Sequence, residues 1–317
     1  MRVLPAIIAG GFGRRLFPIS TDAKPKQFIY FFDKKYSCFQ KTVQRTRIVF
    51  VTEKIAICCN KTHVEIIKQQ LADINESNYV LLVENDARNT FASVLFCLKF
   101  AQKTHIDTLF VSPVDSYIEN DGLFAKKISN ATMFSFIKNK HVIFGVKPTE
   151  VCDRYGYIQI NKNNVERIGN NRYYEIKNFK EKPSIDVAKS LVKSCNCFWN
   201  IGHFIFDVNA LLEDLKKYQK SAFIDYKNMK LILKNRFSYI LSGCFDNFPV
   251  LPVDKVIIEK SRNFVFNKLS FEWCDIGSFE TLGALLKAGK ISIPKEYYFT
   301  TKRDSNFLNF LKLISNL

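Results

Sequence analysis

The stretch Gly10-Gly11-Phe12-Gly13-Arg14-Arg15-Leu16-Phe17-Pro18-Ile19-Ser20, continuing to Lys24-Pro25-Lys26-Gln27-Phe28, constrains this chain more than any other. The run before it, Val3-Leu4-Pro5-Ala6-Ile7-Ile8-Ala9, is apolar at successive positions, the pattern of a strand buried on both faces of a sheet. Three glycines within four positions leave backbone N–H groups unshielded, so an anion can approach closely. Arg15 and Lys26 follow with full positive charges, so a phosphate-rich ligand would meet backbone dipoles first and fixed cations second. Two familiar phosphate loops do not fit. A dinucleotide fingerprint needs a third glycine where this chain has Leu16, and an acid at the end of the second strand, Ile55–Cys59, which runs into Asn60. A P-loop needs Gly-Lys-Ser/Thr, which is absent. The loop reads as a nucleotide or phosphate site, with a plain turn after a strand as the alternative.

A chain of 317 residues, 47% of them hydrophobic, suffices for one large domain with a substantial core. Its net charge of +17 invites a nucleic-acid reading. The cations are scattered as short pairs, however (Lys34-Lys35, Lys126-Lys127, Lys216-Lys217), with no zinc-finger spacing or basic zipper. A solvated basic surface that attracts anionic substrates is the better account, with no nucleic-acid partner. The nine cysteines form no Cys-x-x-Cys pair, and Cys58-Cys59 sits in an apolar strand where thiols act as small hydrophobes. That usage fits a reducing compartment. The glycine loop interrupts the first apolar run, so it does not read as a signal peptide, and no stretch approaches the roughly 20 apolar residues of a membrane span. A cytoplasmic protein with no membrane partner is expected.

From Met1 to about Lys147, strand and helix signals alternate. Ser37-x-x-Gln40 reads as a capping box opening a helix to about Val49, and Thr62-x-x-Glu65 as a second box starting a helix to about Asp73. Strands at Ile55–Cys59, Tyr79–Val83, Thr108–Ser112 and His141–Val146 enclose further helices from Thr90 to about Gln102 and from Asn120 or Asp121 to about Lys138. This alternation predicts an α/β fold: a Rossmann-like, mostly parallel mixed sheet with helices on both faces. Ligands of such sheets lie beyond the carboxyl ends of the strands, where the glycine loop and Asp115 would both sit. Farther on, Tyr155–Ile160 and Tyr173–Phe179 read as strands around an Asn-rich turn, Asn161–Asn171. Helices are predicted at Ser184–Lys193, Ala210–Tyr218, Ala222–Leu233 and Val253–Lys260, a strand at Phe204–Asp207, and a last amphipathic helix from Ser278 to about Lys287. The division expected is a nucleotidyltransferase domain over 1–290 and a short C-terminal helical tail over 291–317.

In this order the segments resemble the bacterial mannose-1-phosphate guanylyltransferases, also called GDP-mannose pyrophosphorylases. The family opens on Gly-Gly-x-Gly-x-Arg-Leu-x-Pro-x-Ser and Pro-Lys-Gln-Phe, here Gly10 to Ser20 and Pro25 to Phe28. Further matches follow in order: Arg88-Asn89-Thr90, Pro113-x-Asp115, Gly145-x-Lys147-Pro148-Thr149, and Tyr155-Gly156-Tyr157-Ile158. Then come Phe179-x-Glu181-Lys182-Pro183, Trp199-Asn200-x-Gly202, Asp254 to Lys260, and Trp273-x-Asp275-x-Gly277-Ser278. The resemblance runs from residue 2 to about 290. Four of these motifs depart from the family pattern: Ser116 for a histidine, Ile201 for a serine, Phe91-Ala92-Ser93 for Ala-Pro-Ala, and Arg154 for a glycine. These departures keep the charged chemistry and touch the sugar and base pockets.

The resemblance implies transfer of a guanylyl group from GTP to mannose 1-phosphate, giving GDP-mannose and pyrophosphate. The sugar phosphate is already ionised at neutral pH, so no general base is needed and the catalytic demand is electrostatic. By the same resemblance, Arg15 and the amides of Gly10, Gly11 and Gly13 hold the β- and γ-phosphates, and Lys26 reaches the α-phosphate or bridging oxygen. Asp115 and Asp275 share a Mg²⁺ ion, for which hard carboxylate oxygens are suited. Lys182 grips the sugar phosphate, Glu181 accepts from sugar hydroxyls, Gly156 and Asn200 touch the sugar, and Arg88 and Asn89 lie near the nucleotide. GTP and mannose 1-phosphate are the expected partners, with a homodimer as the candidate assembly. The four histidines are too dispersed for a metal site and read as structural, His63 and His105 on helix surfaces or ends. Three alternatives stay open: a pyrophosphorylase for another nucleotide and hexose 1-phosphate, a metal-dependent glycosyltransferase, and a non-enzymatic nucleic-acid binder. A glycosyltransferase would be expected to carry Asp-x-Asp, which does not occur here.

Overall fold

The computed structural model describes residues 1–11, 13–32, 35–85, 88–243, 245–293 and 305–314. Phe12 of the glycine loop lies outside them, as do parts of the expected tail, 294–304 and 315–317. In order the chain forms β1 (Val3–Ile8), α1 (Cys38–Val49), β2 (Ile55–Asn60), α2 (Val64–Asp73), β3 (Tyr79–Glu84), α3 (Asn89–Lys103), β4 (Thr108–Pro113), β5 (Ser116–Ile118), α4 (Asp121–Lys138) and β6 (His141–Val146). It continues with β7 (Tyr157–Ile168), β8 (Asn171–Lys180), α5 (Ile185–Lys193), β9 (Cys197–Asp207), α6 (Val208–Tyr218), α7 (Lys220–Asn228), β10 (Lys230–Asn235) and β11 (Ser238–Ser242). The last elements are β12 (Phe264–Lys268), β13 (Trp273–Asp275), α8 (Phe279–Lys287) and α9 (Ser305–Ile314).

The strands make an eleven-stranded sheet in the order β10-β11-β3-β2-β1-β4-β9-β6-β12-β8-β7 and a separate pair, β13-β5. The centre of the large sheet is parallel: β11 runs with β3, β3 with β2, and β1 with both β2 and β4. Antiparallel pairing begins at β9, which lies between β4 and β6. The expected α/β architecture is therefore the observed one. Side chains of β1 explain its unbroken apolar run. Leu4 and Ala6 pack toward α3 and α6, while Ile7 enters the cluster under α1 and α2. From β1 the chain steps outward to β2 and β3, then returns to place β4 on the other side of β1. That reversal opens a crevice at the carboxyl ends of β1 and β4.

Several elements differ from the sequence reading. The Ser37 box is present, with Gln40 N–H on Ser37 Oγ and the reciprocal bond from the Ser37 N–H to Gln40 Oε1. Thr62 caps nothing. Asn60 Oδ1 instead accepts from Thr62 N–H and Oγ1 and opens a 3-10 turn ahead of α2. His63 there is buried rather than on a helix surface. The Asn-rich stretch is mostly strand: β7 runs to Ile168 and absorbs the extra residues in a bulge between Asn161 and Val165. The predicted helix over Ala222–Leu233 stops at Asn228, because the next residues pair as β10 with β11, which in turn adds to β3. β12 escapes the local pattern for the same reason, since pairing with β6 and β8 creates it. Residues of Val253–Lys260 wind as a wide π-helical turn, Asp254–Ile258. Helix α9 sets Phe307 and Phe310 against Phe279 of α8, in a cluster that includes Leu16 and Ile19 of the glycine loop.

Gly145 of β6 is fixed by close approach. A methyl group there would overlap the Trp199 carbonyl oxygen and come 2.9 Å from the Phe266 ring. Gly145→Ala is expected to lower stability by about 1–3 kcal/mol through overpacking, measurable as a lower denaturation midpoint with an unchanged slope.

Candidate active site

The glycine loop leaves β1 and is pinned from inside. Buried Gln27 donates its side-chain amide to the carbonyls of Gly11 (2.6 Å) and Ala9 (3.3 Å), and Ser20 Oγ donates to the Gly13 carbonyl (2.6 Å). Leu16 and Ile19 anchor the far side in the cluster with Ile276 and Phe279. Gly13 has φ +65°, and a Cβ there would lie 2.7 Å from Lys26 Cγ and 2.9 Å from Lys26 N. Only glycine lets the loop close onto Lys26 in this way. Gly11 faces open space, with nothing within 4 Å of where its side chain would be. Arg15 lies exposed in the 3-10 turn Arg14–Leu16.

Lys26 Nζ is the centre of the site. It lies 2.7 Å from Asp115 Oδ2 and 3.8 Å from Asp275 Oδ1, and it donates to the Ile276 carbonyl at 2.9 Å. The two carboxylates arrive by pairing: β5 and β13 run antiparallel with Asp275 opposite Ser116, and the Ile276 N–H bonds the Asp115 carbonyl. Gly277 leaves room for the Asp275 carboxylate, which a side chain there would strike. Burial alone would lower the Lys26 pKa, but the charges of Asp115 and Asp275 and the Asp115 hydrogen bond outweigh it and raise it. Asp115 shows the reciprocal balance: burial raises it, and the Lys26 ion pair brings it below the ordinary value. Asp275 is pushed up to about 6, by burial first and then by the like charge of Asp115.

Two crowded carboxylates facing one cation suit a divalent ion, which would satisfy both charges at once. Among the described residues no group of three or more His, Cys, Asp or Glu side chains could hold a metal. Asp115 and Asp275 therefore fit an ion whose remaining ligands come from substrate phosphates and water.

Two adjoining cavities meet at this centre. One, of about 250 Å³, is lined by Gly11, Gly13, Lys26, Gln27 and Asp115. The other, of about 170 Å³, is lined by Gly156, Glu181, Lys182, Asn200, Asp115 and Asp275. Gly156 is required here too, because a Cβ would come 2.6 Å from Glu181 Oε2 and 3.3 Å from Asn200 Cβ. Lys182 pairs with Glu181 at 3.4 Å and holds φ +44°, a backbone angle that non-glycine residues seldom adopt. Glu181 is fixed by its N–H donating to Glu259 Oε1, and burial raises its pKa.

Arg88 and Asn89 stand apart from both cavities. Arg88 donates to the Phe245 carbonyl at 2.6 Å and lines a third cavity, of about 460 Å³, with Glu84 and Asn85. Asn89, with φ +66°, uses its side chain to accept from the Thr90 N–H at the start of α3. Gly10 lines neither cavity but backs onto Glu84, whose Oε2 would be 3.2 Å from a Cβ at Gly10.

Two acids were passed over by the sequence reading. Asp254 lies in the wall shared by the first two cavities and accepts from Asn200 Nδ2 at 2.8 Å. Burial, then the Glu181 charge, push it up to about 7. Glu84 ends β3, is buried, accepts from Ser93 Oγ at 2.8 Å, and is held up to about 7 by burial. An acid closing an otherwise apolar strand at the carboxyl edge of a parallel sheet was the available signal. His203, by contrast, is packed against Phe110 and Phe124, and burial drives its pKa down to about 3, so it is a neutral core residue.

A model of the nucleotidyl transferase family matches residues 4–289. Mannose-1-phosphate guanylyltransferase of Salmonella muenchen is 29% identical over 291 residues, 90% of this chain and 60% of its own length. The enzyme of the same name from Salmonella typhimurium is 31% identical over 291 residues, 89% of this chain and 58% of its length. This chain thus spans about three-fifths of the length of these curated relatives. A crystal structure titled mannose-1-phosphate geranyltransferase, from Thermus thermophilus, superposes with a TM-score of 0.76 at 22% identity, covering 90% of this chain and 79% of that one. The sheet, the glycine loop and the match across nearly the whole length agree: the chain belongs to the nucleotidyl transferase family.

Proposed function

We propose that the chain transfers a guanylyl group from GTP to mannose 1-phosphate, forming GDP-mannose and releasing pyrophosphate. The observation that carries this reading is the junction at Lys26, where one ammonium faces Asp115 and Asp275 between a glycine-lined cavity and a cavity holding Lys182 and Glu181. Such a pair of cavities suits two phosphorylated substrates whose reacting phosphates meet in the middle. The names of the relatives, matched along 90% and 89% of this chain, support the choice of substrates.

An oxygen of the sugar phosphate attacks the α-phosphorus, the new P–O bond forms, and the bond from the α-phosphorus to the bridging oxygen breaks, in line, with the electron pair leaving on pyrophosphate. Both substrates are anions, so positive charge must be in place before they approach. Arg15, Lys26 and Lys182 supply it, and the loop amides at Gly11 and Gly13 add oriented dipoles. Asp115 and Asp275 would hold Mg²⁺, which when bound neutralises phosphate charge that builds in the transition state. Glu181, largely buried and held by its own N–H, would accept from sugar hydroxyls. Glu84 supports the choice of guanine. Its carboxylate faces the base of the glycine loop beside Gly10, and a guanine offers two adjacent donors, N1–H and N2–H, that one carboxylate can accept together.

A second reading is favoured by one departure. Arg154, where the family has glycine, lines the sugar-side cavity, so a sugar 1-phosphate bearing another negative group would gain a partner there. Pyrophosphate release measured across four nucleoside triphosphates and several sugar 1-phosphates, acidic sugars included, separates the two. GTP with mannose 1-phosphate is expected to be fastest, and preference for an acidic sugar would establish the second reading.

Asp275→Ala should reduce turnover by roughly a thousandfold or more, because the charge at the reacting phosphates is left uncompensated. Full activity in that variant would remove the metal assignment. Because Glu84 titrates at about 7 and only its ionised form accepts both guanine donors, KM for GTP should rise as pH falls below 7. Glu84→Gln should lose that pH dependence and narrow the preference for GTP over ATP by roughly tenfold or more.

A further inference from the structure

The +17 charge is scattered in the sequence, but five of its cations line one cavity of the fold, away from the reaction centre. A cavity of about 520 Å³ opens where β7, β8 and β12 meet the end of β6. Lys147, Lys162, Arg167, Arg172 and Lys268 line it, and no carboxylate does. Among the described residues none of these five forms an ion pair. Its floor is apolar and aromatic, made by Ile160, Tyr174 and Phe198. Lys147 Nζ lies 5.5 Å from the centre of the Phe198 ring and Lys268 Nζ 6.0 Å, so the ring carries cation–π contacts from two lysines.

The sheet register concentrates the charge. Arg167 of β7 stands directly opposite Arg172 of β8, and like charges directly opposed across an antiparallel pair are destabilising. Phe266 of β12 stands opposite Tyr174, so the same register carries Lys268 toward Arg172. The nearest acid on β8, Glu175, points away: Tyr174 packs on the core of one sheet face and its neighbour Tyr173 on the other, and side chains alternate. Glu175 is engaged there by Asn161 and Asn164. Among the described residues three cations therefore converge with no internal counter-charge, beside the partly exposed ring of Tyr174.

We propose that this cavity is a second ligand site, separate from the catalytic centre, for a nucleotide: phosphates on Arg167, Arg172 and Lys268, the flat ring against the partly exposed Tyr174. The volume falls in the range of small-molecule sites, and the polyanion supplies the charge the sheet lacks. The site shares no lining residue with the two cavities at Lys26. It is joined to the sugar side through the chain itself, because Phe198 and Asn200 belong to β9, and Ile160 lies on β7 just beyond Gly156.

Calorimetric titration of the full chain with GDP tests this. About two GDP per chain are expected. The double variant Arg167→Ser, Arg172→Ser should lose one of them, with affinity there weakened by roughly tenfold or more. Lys26→Ala should lose the other, which distinguishes failure of this site from failure of the catalytic reading. One GDP per chain that Lys26→Ala abolishes and the arginine variant preserves would overturn the proposal. So would two sites that the arginine variant leaves untouched, or pyrophosphate binding at this cavity as tightly as GDP, which would leave the aromatic floor without a role. As a control on folding, the arginine variant should unfold at the same or a higher temperature than the parent, since it removes a like-charge pair.

Discussion

The ammonium of Lys26 between Asp115 and Asp275 is the interaction on which the site depends. The three groups balance one another: burial and then the like charge of Asp115 lift Asp275 to about 6, and Lys26, largely withdrawn from water, would lose its proton more readily without the two acids. The surrounding structure exists to hold this arrangement. Gln27 and Ser20 tie the glycine loop over the lysine, Gly13 permits its close approach, and the short β5–β13 pair sets the two acids side by side. The same charges are the ones a pair of anionic substrates with a divalent ion would rearrange, so the resting site is already matched in charge to its proposed load.

How much of this was legible in the sequence follows from how local each cause is. The β1 strand, the Ser37 box and the position of Asp115 just past the end of β4 are written in contiguous residues, and they form as read. β11 on β3 and β12 between β6 and β8 are made by partners far away in the chain, while β10 and the second half of β7 extend through hairpins with the next strand that the local composition disguised. In the site, Gly11, Gly13, Gly156, Lys26, Asp115, Glu181, Lys182, Asn200 and Asp275 converge on two touching cavities. Arg88 and Asn89 are held by the Phe245 carbonyl and the start of α3. Asp254 and Glu84 were passed over as functional candidates although each had a signal in the sequence, and their raised pKa values come from burial, which only the folded chain supplies.

The charge of the chain illustrates the same distinction. A count of +17 says only that the surface attracts anions. The register of β7 on β8 turns part of that count into a specific feature, two arginines face to face above aromatic rings. The two arginines face each other across the two-residue turn Gly169-Asn170, so a local hairpin makes a pairing that the count of charges does not show.

The pairing of β5 with β13 also has a consequence in time. Lys26 reaches the Ile276 carbonyl across 250 positions of sequence, and Asp115 waits for Asp275 across about half the chain. A chain emerging from the ribosome can lay down the parallel centre of the sheet, β1 to β4, long before its last acid has been synthesised. During that interval Lys26 and Asp115 face each other without their third partner. The charge cluster around Lys26 is therefore completed late, with the arrival of the three-residue strand β13.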